Sequence, residues 1–336
     1  MSAPNPMLLI KALDWLREGR EVALATVIQT WGSAPQPVGS QLLIDASGNF
    51  LGSVSGGCVE AEIIHEAADV IASGKPKSLE YGVEDSVAWK AGLACGGSVR
   101  VFVETIRGDE KASLLHRLVE NVESRRPVAL MLDLASGDWE LAHSREALAQ
   151  DLAAALDDAF RCDRSAAVAA GKGDIFINVF NPAIRLVIVG AVHIAQPLVA
   201  TAQALDYDVK IVDPREAFAT AERFDVEISR DYPDEALPKL GLDGRTAVIA
   251  LTHDPKIDDP ALISALASDA FYVGALGSRK THAKRVERLL AAGVDPAAIE
   301  RIHAPIGLNI GAQGAAEIAL SIIAEIVAVH RGKAGA

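Results

Sequence analysis

The sequence contains, just past its middle, the stretch Arg185-Leu-Val-Ile-Val-Gly190-Ala-Val-His-Ile-Ala195. The aliphatic run 186–189 is typical of a strand that is buried on both faces of a parallel sheet. Gly190 then ends the strand, and a helical pattern follows. A strand, a glycine turn and a helix in this order form the first part of a strand–helix–strand unit. The second half of the chain is therefore predicted to contain a parallel sheet.

Short apolar strands continue to alternate with helical segments towards the C-terminus. The further strands are predicted at 208–213, 246–252 and 270–276, and the helices at 191–205, 282–292 and 315–330. Such alternation is typical of a doubly wound parallel sheet with helices on both faces. We therefore predict an α/β protein whose residues 182–336 form a Rossmann-like domain.

The first half of the chain shows a different pattern, which predicts an N-terminal α+β domain over residues 1–181. Helices are predicted at 7–17, 59–72, 111–122 and 145–160, and strands at 21–30, 41–45, 50–54, 77–83, 127–134 and 175–180. A further strand contains Val99, Val101 and Val103, whose alternation with other residues predicts one buried face. The pair Asn181-Pro182 then breaks the pattern and is taken as the domain boundary.

The composition argues against several classes of function. The 336 residues carry a formal net charge of −13, whereas nucleic-acid binding and docking on an anionic membrane both require a basic surface. Residues 1–6 lack the basic start and apolar core of a signal peptide, and no apolar run reaches the roughly 20 residues that span a bilayer. We therefore expect a cytoplasmic protein whose three cysteines remain thiols.

A glycine-rich cysteine motif, Gly52-Ser-Val-Ser-Gly-Gly-Cys58-Val-Glu60-Ala-Glu62, precedes a predicted helix. Its backbone N–H groups are expected to face a ligand. Because a helix N-terminus attracts anions and favours the thiolate form of a nearby cysteine, the motif predicts a site for an anionic, sulfur-reactive ligand. A second motif, Gly92-Leu-Ala-Cys95-Gly-Gly97, is its predicted partner. The residues assigned to this site are Ser55, Gly56, Gly57, Cys58, Cys95, Gly96 and Gly97.

The turn after the strand at 185–190 lies where a dinucleotide-binding fingerprint, GxGxxG/A, is expected. Gly190 occupies its first position, and Asp213 follows the next strand at about the 20-residue spacing of a ribose contact. Val192, however, replaces the second glycine, which normally lets the backbone approach a pyrophosphate. We therefore expect a Rossmann-like scaffold with altered use of ligand rather than tight NAD(P) binding.

Several polar residues follow the ends of the predicted parallel strands. Ligands of doubly wound sheets bind beyond these carboxyl ends, so the residues are expected to share one edge of the sheet. The set comprises Gly190, His193, Asp213, His253, Asp254, Ser278 and Arg279. Its histidines and carboxylates are suited to holding a metal ion or to acid–base chemistry. Each residue alone is equally consistent with a turn or a cap, so the predicted pocket depends on their convergence.

Seven pieces of the sequence, in this order, resemble the XdhC/CoxI family of accessory proteins for xanthine dehydrogenase and related molybdenum hydroxylases. In the first half the pieces are Thr30-Trp-Gly-Ser-Ala-Pro35, Gly52-Ser-Val-Ser-Gly-Gly-Cys-Val-Glu60 and Gly92-Leu-Ala-Cys-Gly-Gly97. In the second half they are Val212-Asp-Pro-Arg215, Leu251-Thr-His-Asp-Pro255, Tyr272-Val-Gly-Ala-Leu-Gly-Ser-Arg279 and Pro305-Ile-Gly-Leu-Asn-Ile-Gly311. The resemblance extends over nearly the whole chain.

The resemblance implies a maturation chaperone rather than a turnover enzyme. Such a chaperone binds the molybdenum cofactor (Mo-molybdopterin) as cargo, protects it, supports replacement of an oxo ligand by sulfido, and inserts it into an apo molybdenum hydroxylase of the xanthine dehydrogenase type. A cysteine desulfurase is the implied sulfur source. Because the molybdenum is soft enough to accept a thiolate, Cys58 is expected to contact the metal or to relay sulfur, with Cys95 nearby. The alternative for each cysteine is a small residue packed in a glycine turn.

Three residues differ from the family pattern. Val192 stands where glycine is usual, and Gln36 and Gln313 stand where arginine is common. These changes are consistent with a different cofactor form, with weaker binding, or with phosphate contacts from Arg279 and Lys280. Two other functions stay open: an NAD(P)-dependent oxidoreductase, and a docking protein that recruits a sulfurtransferase without holding cofactor. The apolar helix predicted at the C-terminus is suited to a homodimer.

Overall fold

The structure of the protein is a computed structural model that describes residues 6–82, 97–144, 148–170 and 173–332. The chain divides into two compact units, residues 2–182 and residues 183–336, here called the N-terminal unit and the C-terminal unit. Each unit has its own sheets and its own apolar clusters.

Two antiparallel sheets form the N-terminal unit. The larger consists of β1 Val22–Trp31, β2 Gln41–Asp45, β3 Phe50–Gly52, β4 Lys77–Tyr81 and β5 Ser98–Thr105, in the spatial order β3-β2-β1-β5-β4. The smaller consists of β6 Val128–Asp133, β7 Trp139–Ala142, β8 Ala166–Ala170 and β9 Gly173–Phe180, in the order β7-β6-β9-β8. The helices described in this unit are α1 Pro6–Arg17, α2 Glu60–Ser73, α3 Gly108–Glu123 and α4 Gln150–Cys162.

The helix α2 illustrates how the sequence pattern produces the packing. Ile63, Ala67, Val70 and Ile71 recur at helical spacing and are all buried against the five-stranded sheet. The helix ends at Gly74, whose left-handed φ of 68° allows its N–H to donate to the carbonyl oxygen of Val70. The prediction of this helix from the amphipathic pattern is confirmed.

The strand β5 is buried on both faces, whereas its alternating pattern predicts one buried face. Val101 faces α2, and Phe102 and Glu104 are also buried, on the side of α1, α3 and the smaller sheet. The Glu104 carboxylate accepts hydrogen bonds from Trp139 Nε1 at 2.8 Å and from Lys111 Nζ at 2.5 Å. Burial raises the pKa of Glu104 to about 7, against the opposing effect of Lys111. The prediction is wrong because a second layer of the same unit covers this face.

The C-terminal unit contains a six-stranded parallel sheet. Its strands are β10 Arg185–Val189, β11 Asp208–Val212, β12 Glu227–Ser229, β13 Thr246–Ala250, β14 Tyr272–Ala275 and β15 Ile302–His303, in the order β12-β11-β10-β13-β14-β15. Its described helices are α5 Ala195–Gln203, α6 Pro233–Leu240, α7 Pro255–Leu266, α8 Arg279–Ala291, α9 Pro296–Ile299 and α10 Gly314–His330. The strand order reverses beside β10, as in doubly wound nucleotide-binding sheets. The predicted Rossmann-like parallel sheet is confirmed.

Helices cover both faces of this parallel sheet. α5 and α10 pack on one face, and α6 to α9 pack on the other. This double coverage buries residues 186–189 of β10 completely, which explains why their sequence is continuously apolar. Among the helices that the structure describes, none is long and apolar enough to cross a membrane.

Some element boundaries differ from the predicted ones. The helix predicted from residue 191 is α5, which begins only at Ala195 because residues 191–194 form a turn. The helix predicted from residue 145 is α4, whose first residue is Gln150. The elements β7, β8, β12, β15, α6, α7 and α9 are absent from the prediction. Both α6 and α7 begin with a proline and contain a second one, which obscures their helical pattern.

Candidate functional site

Three of the sequence motifs meet at one end of the five-stranded sheet. β1 ends at Trp31 opposite Ser98, where β5 begins, and β3 ends at Gly52 at the same end of the sheet. A Cβ at position 97 would lie 2.7 Å from the carbonyl oxygens of Trp31 and Ser33, so only glycine fits there. Gly97, the last residue of the second glycine motif, therefore lies against the loop that follows β1.

The loop after β3 also approaches the loop after β1. A Cβ at Gly56 would lie 3.6 Å from the Cβ of Pro35, an ordinary contact distance. Cys95 and Gly96 lie outside the described residues. Their predicted place beside Cys58 therefore stays a prediction.

The carboxylate of Glu60 is the centre of the loop after β3. This residue is 7% exposed and accepts hydrogen bonds from the N–H groups of Val54, Ser55 and Gly57 at 3.2, 2.9 and 2.9 Å. The hydroxyl of Ser53 donates to it at 2.7 Å, and the hydroxyl of Ser55 also donates to it. Burial acts to raise the pKa of Glu60, but the hydrogen bonds outweigh it and lower the pKa to about 2.

The remaining N–H groups of this loop are also directed inward. Ser55 Oγ accepts hydrogen bonds from the N–H groups of Cys58 at 3.0 Å and Val59 at 2.9 Å, and the N–H of Gly56 donates to Ser53 Oγ at 2.9 Å. The N–H groups of residues 54–59 therefore all donate to side chains of the loop or of Glu60. This differs from the expectation that they face an anionic ligand, because the carboxylate of Glu60 and the hydroxyls of Ser53 and Ser55 already accept them.

Cys58 lies two residues before the first residue of α2, on the backbone that this network holds. Its side chain is partly buried and packs against the apolar cluster that includes Val54, Val59 and Ile63. Cys58 forms no disulfide with any residue that the structure describes. The loop therefore presents one partly accessible thiol on a fixed backbone.

At the carboxyl edge of the parallel sheet, Asp213 is committed to contacts within the chain. It is fully buried, and its Oδ2 accepts hydrogen bonds from the N–H of Ala191 and from Arg215 Nη2, both at 2.7 Å. Its Oδ1 accepts hydrogen bonds from Arg215 Nε at 2.9 Å and from the Arg215 N–H at 3.0 Å. Burial opposes ionisation, yet the contacts with Arg215 hold the pKa of Asp213 below its ordinary value.

These contacts differ from the ribose contact that the spacing of Asp213 predicts. A carboxylate offers about four acceptor positions, and in Asp213 the chain's own donors occupy them. Asp213 therefore fixes the turn after β10, at Ala191, to the end of β11. Gly190 brings this turn against the loop after β13, since a Cβ there would lie 2.5 Å from Thr252 Cγ2.

The loop after β13 is held by Asp258, a buried residue of α7. Asp258 accepts hydrogen bonds from Thr252 Oγ1 at 2.6 Å, from the Thr252 N–H at 3.2 Å and from the His253 N–H at 3.0 Å. Thr252 Oγ1 in turn accepts the Asp254 N–H at 3.0 Å. Burial raises the pKa of Asp258 in spite of these hydrogen bonds. His253 is exposed and has a left-handed φ of 64°, an uncommon conformation for a residue other than glycine.

Two of the predicted site residues cap helices. The Asp254 carboxylate accepts the Lys256 N–H at 3.0 Å at the start of α7. Ser278 Oγ accepts the Thr281 N–H at 3.2 Å at the start of α8. Both residues therefore position the first turns of helices that begin at the carboxyl edge of the sheet.

The metal site that the pattern allows at this edge is absent from the described residues. No group of three or more His, Cys, Asp or Glu side chains in that part of the chain could hold a metal ion. The option of a metal site is not realised there, because Asp213 binds Arg215 and Asp254 caps α7. The side chains of His193, His253 and Arg279, by contrast, are exposed just after the ends of their strands.

The sequence patterns assign no role to Glu60, Arg215 or Asp258, on which both sites depend. A carboxylate in the first turns of a helix, after a loop that contains Ser or Thr, is a signal that identifies Glu60 and Asp258. Arg215 lies two residues after Asp213, and this spacing alone gives no comparable signal.

Comparisons with known proteins agree with the resemblance seen in the motifs. Residues 186–326 match the profile of the XdhC Rossmann domain, and residues 15–82 match the profile of the XdhC and CoxI family. The chain is 31% identical over 319 residues to the molybdenum cofactor insertion chaperone PaoD of Escherichia coli (strain K12), covering 95% of this chain and 86% of that protein.

Two further relatives cover the chain at similar length. The chain is 27% identical over 326 residues to a probable xanthine dehydrogenase subunit of Bacillus subtilis (strain 168), covering 95% of this chain and 96% of that protein. A crystal structure described as a xanthine dehydrogenase from Bacillus halodurans is similar with a TM-score of 0.66 and 25% identity, covering 99% of this chain and 97% of that one.

Proposed function

The chain belongs to the XdhC and CoxI family, and on this premise we propose that it binds the molybdenum cofactor as cargo and inserts it into a molybdenum hydroxylase of the xanthine dehydrogenase type. The observation that carries this proposal is the likeness, over 95% of the chain, to a molybdenum cofactor insertion chaperone. A likeness of this length includes both units. The proposal therefore concerns the chain as a whole rather than one of its domains.

The loop around Cys58 supports a direct role in holding the cargo. The dithiolene of molybdopterin already binds the molybdenum, so the protein needs to add at most one soft ligand, such as a thiolate. Cys58 offers such a thiol on a backbone that Ser55 and Glu60 hold in place. Ser55, Gly56 and Gly57 act in this proposal by shaping the loop. Cys95, Gly96 and Gly97 are proposed to form the neighbouring wall of the site.

In the alternative role, Cys58 is the proposed acceptor of sulfur from a cysteine desulfurase. In this step the Cys58 thiolate attacks the terminal sulfur of a persulfide on the donor. A new S–S bond forms at Cys58, the S–S bond of the donor breaks, and the donor cysteine leaves as a thiolate. The chaperone then carries this sulfur as a persulfide on Cys58.

At the carboxyl edge of the parallel sheet, exposed residues are the proposed contacts with cargo. These are His193, His253 and Arg279, and the residues that shape their loops are Gly190, Asp213, Asp254 and Ser278. An NAD(P)-type ribose contact is not part of the proposal, because Asp213 already accepts hydrogen bonds from Ala191 and Arg215.

A cofactor-transfer experiment tests this function. The protein, purified without oxygen from cells that make the cofactor, is expected to contain molybdenum and pterin in equal amounts. Cys58→Ser is expected to lower activation of the apo-hydroxylase about tenfold or more, the size of effect that follows loss of a metal contact. The matched control is Cys162→Ser, which changes a second partly buried cysteine at the end of α4.

Each outcome of this experiment has a definite meaning. Normal transfer of sulfurated cofactor by Cys58→Ser would exclude the role of Cys58 and leave the chaperone function standing. A wild-type protein that contains neither molybdenum nor pterin, and still promotes maturation, would instead establish a docking protein for a sulfurtransferase.

The proposal includes a homodimer that acts in the cytoplasm. The helix α10 packs on α5 and leaves the Leu320 side chain 54% exposed, which offers an apolar contact to a second copy. Light scattering is expected to give a dimer mass for the wild type and a monomer mass for Leu320→Glu. A monomeric wild type would exclude this interface.

A further inference from the structure

A basic cavity lies between the first turns of α7 and α8, within the C-terminal unit. It has a volume of about 180 Å³, and its lining includes Lys280, Lys284, Arg285 and Arg288 of α8 together with Asp258 of α7. Lys280, Lys284 and Arg288 lie on one side of α8, because each follows the one before by four residues, and Arg285 lies three residues before Arg288. None of these four arginines and lysines takes part in the site described above.

Arg285 gives this cavity unsatisfied hydrogen-bond donors. Its side chain is 2% exposed, and Nη2 donates to the carbonyl oxygen of Leu276 at 2.9 Å. Nε and Nη1 have no hydrogen-bond partner among the described residues. Asp258 Oδ2 lies 3.9 Å from Nη2, which is beyond hydrogen-bond distance. A buried guanidinium with unfilled donors is unfavourable, and an anion in the cavity would stabilise it.

The cavity also carries an excess of positive charge. Arg288 forms a bidentate ion pair with Asp259, at 2.5 and 2.9 Å, and Asp258 offsets the charge of Arg285. Lys280 and Lys284 are exposed and make no ion pair within the part of the chain that the structure describes. Two positive charges are therefore left over, which match the charge of about −2 on a phosphomonoester near neutral pH.

The helix termini and the size of the cavity narrow the choice of ligand. α7 begins at Pro255 and α8 at Arg279, so both helices direct the positive end of their dipole towards this region. The volume of about 180 Å³ is smaller than the roughly 300–1,000 Å³ of pockets that enclose a whole ligand. A phosphoryl group fits such a space, whereas the rest of a large cofactor must lie outside it.

We propose that this cavity binds the phosphate ester of the pterin cargo, with Arg285 as a donor and Lys280 and Lys284 as charge partners. The inference rests on the function proposed above, since molybdopterin carries a phosphomonoester at one end. A guanidinium and two ammonium groups suit a phosphate dianion, because hydrogen bonds in which both partners are charged are stronger than those between neutral groups. The pterin ring and the metal then lie outside the cavity.

Titration of the full-length protein with inorganic phosphate tests the cavity itself. Lys280→Ala/Lys284→Ala is expected to raise the dissociation constant about a hundredfold, at about tenfold for each ammonium group removed. Arg285→Lys keeps the charge but removes the unfilled guanidinium donors, and is expected to give a smaller loss. The control Lys239→Ala/Lys256→Ala makes the same change of charge at two exposed lysines of the same unit outside the cavity, and is expected to bind phosphate like the wild type.

A second titration, with the phosphorylated and the dephosphorylated oxidised pterin, assigns the source of the phosphate. The wild type is expected to prefer the phosphorylated pterin, and Lys280→Ala/Lys284→Ala to lose that preference. Equal phosphate affinity of the wild type and this variant would overturn the site. Lysine-dependent phosphate binding without a preference between the pterins would overturn the assignment to cargo. Lysine-dependent phosphate binding by a protein that binds neither pterin would support a phosphoryl site and overturn the proposed cargo function.

Discussion

Two loops of the molecule, one in each unit, are held by the same device. Glu60 accepts hydrogen bonds from the N–H groups six and five residues before it, and so does Asp258. In each loop a hydroxyl, Ser55 Oγ or Thr252 Oγ1, donates to the carboxylate and accepts an N–H further along the loop. A helix follows each loop, and its first turns supply the carboxylate. In both candidate sites, hydrogen bonds to a buried carboxylate therefore hold the loop backbone in place.

The two carboxylates nevertheless shift in opposite directions. Glu60 accepts five hydrogen bonds from the loop before it, and its pKa falls to about 2. Asp258 accepts three hydrogen bonds from its loop, and burial raises its pKa. Folding therefore favours the ionised form of Glu60 and disfavours the ionised form of Asp258. The reason is that the hydrogen bonds to a buried carboxylate must outweigh its loss of hydration, and five do so at Glu60 whereas three do not at Asp258.

Replacing each carboxylate by its amide is expected to give the largest difference between the two loops in the free energy of unfolding. Glu60→Gln is expected to lower the free energy of unfolding of the N-terminal unit by about 3 kcal/mol, because an amide NH2 group then faces donors that need an acceptor. Asp258→Asn is expected to cost only about 1 kcal/mol, since it also removes a buried charge. Tryptophan fluorescence reports the first loss, because all four tryptophans lie in the N-terminal half, and hydrogen exchange reports the second.

The control for Glu60→Gln is Glu62→Gln, which removes the same charge from the first turn of α2 without touching the network. It is expected to change the free energy of unfolding by less than about 1 kcal/mol. Equal losses in the two variants would show that the helix dipole, rather than the hydrogen-bond network, accounts for the effect.

Acid titration is expected to reveal the opposite signs directly. The pKa of Glu60 falls from about 4.5 to about 2 on folding, so the stability it contributes is complete above pH 4.5 and is lost as the pH falls to 2. This loss is expected to be about 2 to 3 kcal/mol. The raised pKa of Asp258 has the opposite sign, because the folded state binds the proton more tightly and gains stability as the pH falls through that pKa.

The measurement is the difference in unfolding free energy between the wild type and Glu60→Gln, from pH 6 to pH 2. That difference is expected to shrink as the pH falls, whereas the corresponding difference for Asp258→Asn is expected to grow. A difference for Glu60→Gln that is constant across this range would contradict the lowered pKa.

The two loops also show that a sequence pattern can predict a strand or an unusual loop but not the hydrogen-bond partners within that loop. The parallel sheet is predictable, because the apolar run of β10 and the glycine that follows are local properties that reflect burial on both faces. The glycines, serines and cysteine at 52–58 indicate a special loop. They do not show whether its N–H groups face a ligand or a side chain of the chain.

Buried charges are the hardest features to predict. Arg285 lies among Lys, Arg and Glu residues on α8, a pattern that usually indicates a solvated face, and the packing of α8 in the C-terminal unit buries it. Glu104 alternates with valines in the manner of a solvent-facing residue and is buried by a second layer. In both cases the cause is a contact with an element distant in sequence, which no local pattern contains.

The hydroxyl of each loop is expected to have a smaller effect than the carboxylate. Ser55→Ala removes a donor to Glu60 and the acceptor of two N–H groups, and is expected to cost about 2 kcal/mol. Thr252→Val removes one donor and one acceptor around Asp258, and is expected to cost about 1 kcal/mol. Unfolding monitored as for the carboxylate variants checks both values.

Ser55→Ala has a second readout that a general loss of stability does not produce. Loosening the loop is expected to speed alkylation of Cys58, measured by peptide mass spectrometry under native conditions, with Cys162 in the same sample as the reference. Unchanged alkylation of Cys58 would contradict the inference that Ser55 holds the backbone on which the thiol sits.

The smallest expected effects concern the left-handed positions of the two loops. Gly57 has a φ of 106°, and a Cβ at this position would meet open space, so Gly57→Ala is expected to cost about 1 kcal/mol through backbone conformation alone. His253→Gly is expected to stabilise the C-terminal unit by about 0.5 kcal/mol, because relief of the left-handed strain exceeds the entropy that glycine adds to the unfolded chain. If His253→Gly stabilises the protein and also weakens binding of the cofactor, the strained backbone of His253 is explained by a contact of its side chain with the ligand. A destabilising one would mean that the side chain holds the loop, and the proposed contact of His253 with cargo would have to be abandoned.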